Sequence, residues 1–150
     1  MRILVQRVKE AKVSIDQKLH SQIGAGLLVF LGIHKEDQAT QIPWLINKLV
    51  NLRIFSDQEG KMNCSVKEVG GSILLVSQFT LYGNCLSGRR PDFIQAAPPA
   101  IAEPLYQQFI DKLSLEIKDL QTGVFGAEMQ IGLINDGPVT FLIEPEKKVD

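Results

Sequence analysis

Apolar and polar positions alternate from the first residues. Ile3 and Val5 alternate with Leu4 and Gln6, and Val13 and Ile15 follow across Lys12 and Ser14. A period of two predicts two short strands within residues 2–15. Gly24 and Gly26 then punctuate the chain ahead of Leu27-Leu28-Val29-Phe30-Leu31, a run whose length and Val/Phe content suit a buried strand. The period changes next. Ile42, Leu45, Ile46, Leu49 and Val50 share one helical face, with Pro43 suited to a first turn. Arg53 to Phe55 reads as extended, and Ser56-Asp57-Gln58-Glu59-Gly60 as a turn. Gly70-Gly71 opens a second buried strand, Ile73-Leu74-Leu75-Val76, predicted to run on through Ser77-Gln78-Phe79-Thr80-Leu81. Residues 84–99 are turn-rich. Ala102, Leu105, Tyr106, Phe109, Leu113 and Ile117 mark a second amphipathic helix, with Pro104 read into its first turn. Two alternating strands close the chain: Met129, Ile131 and Leu133, then Val139, Phe141 and Ile143, joined at Asn135-Asp136-Gly137-Pro138. The charged tail, 145–150, is expected to fray.

This order predicts an α/β chain of ββ-(βα)2-βββ type, with layered sheets and two helices on one side. Two helices cannot cover both faces of a large sheet, so a second sheet layer or a subunit must cover the rest. At 150 residues, 45% hydrophobic and 22% charged, the chain fits one globular domain over 1–150. A disordered tail, a collagen-like fibre and a disulfide scaffold are excluded. The apolar runs fall far short of the ~20 residues that span a bilayer. The opening Met1-Arg2-Ile3-Leu4-Val5-Gln6-Arg7 lacks the apolar core of a secretory signal, so a cytoplasmic chain without membrane contact is expected. Cys64 and Cys85 read as free thiols. His20 and His34 have no metal-ligand spacing, so neither metal nor cofactor is expected. With a net charge of -1, any contact to nucleic acid must use a local patch.

Standard catalytic patterns are missing: there is no Gly-x-Ser-x-Gly elbow and no phosphate-binding loop. A Ser-His-Asp set would depend on two histidines in polar, turn-like segments, which weighs against it. Two segments stand out. Ser77-Gln78-Phe79-Thr80-Leu81 puts two hydroxyls and an amide at the end of an apolar strand. That is either an edge where a strand emerges into solvent, or a site where N–H groups leaving the ladder can hold an oxyanion. Asn135-Asp136-Gly137-Pro138-Val139-Thr140 is either an ordinary hairpin turn or a Gly-Pro peptide in the cis form.

Together the two segments resemble the D-aminoacyl-tRNA deacylase family, which carries Ser-Gln-Phe-Thr-Leu and Asn-x-Gly-Pro-Val-Thr motifs in this order. Gln6-Arg7-Val8, Arg53-Ile54-Phe55-Ser56-Asp57, Gly60-Lys61-Met62-Asn63, Arg90-Pro91-x-Phe93 and Gly123-x-Phe125-x-Ala127-x-Met129 extend the likeness over nearly the whole chain. Cys85-Leu86-Ser87-Gly88 matches no family pattern closely. The resemblance implies hydrolysis of the ester joining a D-amino acid, or mischarged glycine, to the 3′ end of tRNA. It also implies a homodimer with active sites at the subunit interface, where a cis Gly137-Pro138 turn reaches the partner's site and selects by chirality. Arg7 would hydrogen bond near that turn, or be a plain surface arginine. Ser77, Gln78, Phe79 and Thr80 would form the hydrolytic end, with a Phe79 or Thr80 N–H on the ester oxygen. Thr80 has no base close in sequence, so water attack assisted by the tRNA 2′-hydroxyl is expected, with Thr80 and Gln78 orienting. Phe125 would stack on the terminal adenine between Ala102 and Met129, or be plain core. Arg89 and Arg90 are the local phosphate contacts, or a solvated loop. Two rivals stay open: a dimer that binds nucleic acid or protein without hydrolysis, and a relative acting on an L-aminoacyl-tRNA through a trans Gly-Pro turn.

Overall fold

In the computed structural model, which describes residues 1–146, β1 runs unbroken over Arg2–Ile15. Two short strands were expected there. The chain instead changes partner without stopping: residues 2–8 pair with β3 (Gly26–Gly32), while residues 11–15 pair with β2 (Lys18–Ile23). Asp16 and Gln17, both at positive φ, close the tight β1–β2 hairpin. Neither is glycine, so this turn carries no strong signal in the sequence. Of the tail expected to fray, 145–150, residues 147–150 lie outside the described residues.

From β3 the chain passes through α1 (Ile42–Asn51) and the small hairpin of β4 (Phe55–Ser56) and β5 (Met62–Cys64) into β6 (Ser72–Ser77). It then passes through α2 (Pro99–Leu113) to β7 (Leu120–Thr122) and ends in β8 (Gln130–Ile143). β3, β6 and β7 are parallel, which is why a helix fills each crossover. The sheet order is β2-β1-β3-β6-β7, with β8 along the other edge of β1. α2 starts three residues before the expected Ala102, because Pro99 fits a first-turn position where no N–H is needed. Pro104 therefore lies inside the helix rather than in its first turn, and Ile117 is buried beyond the helix end.

Side-chain alternation along the central strands feeds two cores. Leu27, Val29, Leu31, Ile73 and Leu75 face the helices, against Leu45 and Leu49 of α1 and Leu105 and Phe109 of α2. Each fully buried side chain of this kind stabilises by about 1.5–3 kcal/mol. Leu28, Leu74 and Val76 face the other way and meet Val8, Ala11, Val13 and Ile23. The sheet's own far half thus curls over its second face. The result is a mixed α/β single domain with a nearly closed sheet; the α/β class and the placing of both helices on one side are as the pattern predicted.

The last third departs from expectation. β8 is one strand antiparallel to β1, not two strands joined by a hairpin turn. Between the pairs Val8↔Asn135 and Gln6↔Thr140, β1 holds only Arg7 while β8 holds Asp136, Gly137, Pro138 and Val139. The excess bulges out without reversing the strand. Among the described residues no helix is long and apolar enough to cross a membrane. Among them no group of three or more His, Cys, Asp and Glu is arranged to hold a metal ion.

Candidate active site

The ladder stops earlier than the sequence suggests. β6 ends at Ser77, the Gln78 N–H donates to the Leu31 carbonyl at 2.8 Å, and the chain tightens into a 3₁₀ turn over Phe79–Tyr82. Leu81 N–H donates to the Gln78 carbonyl and Gly83 N–H to that of Thr80. The N–H groups of Phe79 and Thr80 open the turn, and the opening donors of a helical turn have no acceptor within it. Two backbone donors are thereby freed where a buried strand meets solvent, the setting an oxyanion requires.

The turn is fixed from behind. Arg2 Nη1 donates to the Leu81 carbonyl at 3.1 Å, and its guanidinium lies over the Tyr82 ring, 4.3 Å from the centroid. Glu144 pairs with the same guanidinium at 3.0 Å, and the His34 ring meets Tyr82 edge-on. Burial pushes the Tyr82 hydroxyl up to about 12, so it stays neutral. Gly32 lets the turn lie close to β3: a Cβ there would stand 2.9 Å from Leu81 Cβ and 3.2 Å from the Gln78 oxygen.

Beside the turn opens a cavity of about 510 Å³. It brings together Ser77, Gln78 and Phe79 with Ala102, Phe125 and Met129. Phe125 is tilted against Tyr106, at 5.7 Å between centroids, and burial raises the Tyr106 hydroxyl to about 12. Thr80 is exposed and is not part of the lining. Phe93, to which the sequence reading gave no role, lines the cavity and stands edge-on to Phe79 at 5.1 Å. Its one signal was its place in Arg90-Pro91-x-Phe93.

Among the described residues no acid, lysine, arginine, histidine, cysteine or tyrosine lines this cavity. His34 is engaged at both ring nitrogens: Nε2 lies 2.7 Å from Gln95 Oε1, and Nδ1 accepts from the Glu36 N–H. Among the described residues no hydrogen bond joins the Thr80 hydroxyl to a base. The chemistry such a site can offer is backbone hydrogen bonding within an apolar enclosure.

The second segment is stapled to β1. The Asn135 side-chain amide donates to the Arg7 carbonyl at 3.0 Å and to the Val139 carbonyl at 3.1 Å. Arg7 Nε donates to the Asp136 carbonyl at 3.1 Å and pairs with its carboxylate at 3.2 Å; Nη1 donates to the Ile54 carbonyl at 2.6 Å. The Arg7 side chain is 12% exposed, so it is no surface arginine. The Gly137–Pro138 peptide is cis. Both residues are exposed and lie outside the cavity lining, so one chain alone does not bring the two motifs together. Around the bulge β8 exposes Ile134, Phe141 and Leu142, and its edge away from β1 pairs with no strand among the described residues.

A model of the D-Tyr-tRNA(Tyr) deacylase family matches residues 4–144. The chain is 61% identical over 144 residues to a D-aminoacyl-tRNA deacylase of Protochlamydia amoebophila, covering 96% of this chain and 95% of that one. It is 51% identical over 149 residues to a D-aminoacyl-tRNA deacylase of Chlorobaculum tepidum, covering 99% of each. Among solved structures, the c-Myc DNA Unwinding Element Binding Protein superposes with a TM-score of 0.93 at 40% identity, covering 98% of this chain and all of that one.

Proposed function

The chain belongs to the D-Tyr-tRNA(Tyr) deacylase family and is a D-aminoacyl-tRNA deacylase, and we propose that it works through backbone groups, with the tRNA supplying the proton transfer. The observation that carries this is a strand end with two freed N–H groups beside a cavity that, among the described residues, no titratable side chain lines.

In this reading the terminal adenine enters the cavity and stacks on Phe125, with Ala102 and Met129 as walls. The ester carbonyl oxygen lies on the N–H of Phe79 or Thr80. One such donor is worth about 2.7–4 kcal/mol as negative charge develops on that oxygen. Water attacks the carbonyl carbon, its proton passes to the neighbouring 2′-oxygen, and the 2′-hydroxyl proton passes to the 3′-oxygen as the ester C–O bond breaks. The products are the free amino acid and intact tRNA. Gln78 and Thr80 orient the reacting groups.

Chirality is read by main chain. The Gly137 and Pro138 carbonyls of a second copy accept the substrate ammonium and leave no room for an L side chain, while a D side chain points away. Glycine, which has no side chain, passes the same filter. The second copy is supported by the exposed Ile134, Phe141 and Leu142 and by the open edge of β8, the features an interface would cover. Work on aminoacyl-tRNA fits a cytoplasmic location.

Turnover of purified, D-tyrosine-charged tRNA tests this reading. It separates deacylation from simple nucleic-acid binding, the alternative that the name of the 40%-identical DNA-binding protein raises. A protein that retains charged tRNA without releasing D-tyrosine overturns the hydrolytic account. Replacing Phe125 with alanine is expected to raise KM about 5- to 150-fold with kcat little changed, since base–aromatic stacking contributes about 1–3 kcal/mol. Steady-state deacylation checks it; an unchanged KM contradicts the adenine site. Gly32→Ala is expected to push the Phe79–Tyr82 turn off β3. A 1 Å misplacement costs on the order of 10²-fold in rate, so kcat should fall by that order with a cooperative melt retained. Wild-type kcat would show that the turn is not the reacting site.

A further inference from the structure

We propose that the loop of residues 85–91 is the surface that takes the tRNA strand beyond its terminal adenosine, through phosphates bound by Arg89 and Arg90. The inference rests on the deacylase reading and names a partner contact which that reading leaves open.

The loop has a rigid root. Asn84 N–H donates to the Asp92 carbonyl at 2.8 Å, Asp92 N–H returns the bond at 3.0 Å, and the Asn84 amide donates to Asp92 Oδ2 at 2.9 Å. All seven residues between them are exposed, so the loop projects from the protein. Its root adjoins the candidate active site on both sides. Gly83, before it, is bonded to the Thr80 carbonyl, and Phe93, after it, lines the cavity.

Charge singles out the same loop. Within residues 72–102 the charged residues are Arg89, Arg90 and Asp92 alone. Both carboxylate oxygens of Asp92 are used at the root, one by Asn84 and the other by the Ile94 N–H. Among the described residues neither arginine pairs with a carboxylate. Two uncompensated cations therefore project beside an otherwise uncharged site, on a chain whose net charge is -1. A planar guanidinium matches a phosphate in the two-bond geometry that suits it best.

The reach is right. A seven-residue excursion extends about 12 Å at most, taking half its contour at about 3.3–3.6 Å per residue. Phosphates of a stacked strand follow one another at about 3.4 Å along the axis. With the adenosine in the cavity, the loop reaches the first few phosphates and no further. A near-neutral protein can then hold a polyanion by its common end.

The test is the double variant Arg89→Gln with Arg90→Gln, assayed on full-length D-tyrosyl-tRNA across a salt series, beside Arg89→Lys with Arg90→Lys. The glutamine pair is expected to raise KM about tenfold at low salt, with kcat within about twofold. The slope of log(kcat/KM) against log[salt] should flatten by about 1.4, because each single-strand phosphate contact contributes about 0.7. The lysine pair, which keeps the charge but not the two-bond fork, should restore the slope and only part of KM. Unchanged KM and slope in the glutamine pair, with wild-type protein active, overturn the loop assignment and leave the deacylase reading intact. A wild-type protein that releases no D-tyrosine overturns both.

Discussion

A tRNA ending in 2′-deoxyadenosine and charged with D-tyrosine on its 3′-oxygen is expected to be hydrolysed about 10²- to 10⁴-fold more slowly than the natural substrate, with KM little altered. That range is what positioned acid–base assistance contributes. The expectation follows from the lining of the cavity, which among the described residues holds no group able to take a proton near neutral pH. His34 is committed at both nitrogens, and Asp92, the one acid in residues 72–102, is bound at the root of its loop. Thr80→Ala supplies the complementary experiment. A nucleophilic threonine would need activation; its loss would abolish turnover, and the wild-type protein would hydrolyse the deoxy substrate at close to the natural rate. The account predicts the reverse: Thr80→Ala stays within about tenfold of wild type. Single-turnover measurement of both substrates on both proteins decides between the two.

Asn135→Ala is expected to lower kcat/KM for D-tyrosyl-tRNA about 10²-fold and to weaken discrimination against the L form. Asn135 holds the bulge closed by two hydrogen bonds, and its loss strips the Arg7 and Val139 carbonyls of that donor. Each net bond is worth about 0.5–1.5 kcal/mol, which the folded domain tolerates. The effect falls instead on position, because the proposed filter of two carbonyls would work only where they are held. Rates on both enantiomers, beside a thermal melt, measure it. An intact D/L ratio in a cooperatively folded variant would show that the bulge does not set chirality.

The sequence carried more of the fold than of its joints. The parallel strands, α1 and the side on which the helices lie follow from runs such as Leu27 to Leu31 and from the spacing of Leu45 and Leu49, because burial imposes those periods. The joints depend on partners distant in sequence. β1 shows two alternating stretches because it changes neighbour midway, which no local window reveals. Asn135-Asp136-Gly137-Pro138 has the composition of a reversal, yet β1 runs along both sides of it and holds β8 straight. The family was legible from the two motifs, and the match over residues 4–144 bears that out. The supports of the site were not. Gly32 and Arg2 act through Leu81, and Asn135 through Arg7, partners 49 to 128 positions away, and none bears a catalytic signature.

The central claim is that fixed main-chain groups distinguish mirror-image acyl groups on tRNA. Hydrolysis of D-tyrosyl-tRNA and L-tyrosyl-tRNA by the same purified protein, compared as kcat/KM, tests it most directly. The account predicts rapid release of D-tyrosine and no measurable release of the L form above the uncatalysed rate. Equal rates on the two would contradict it.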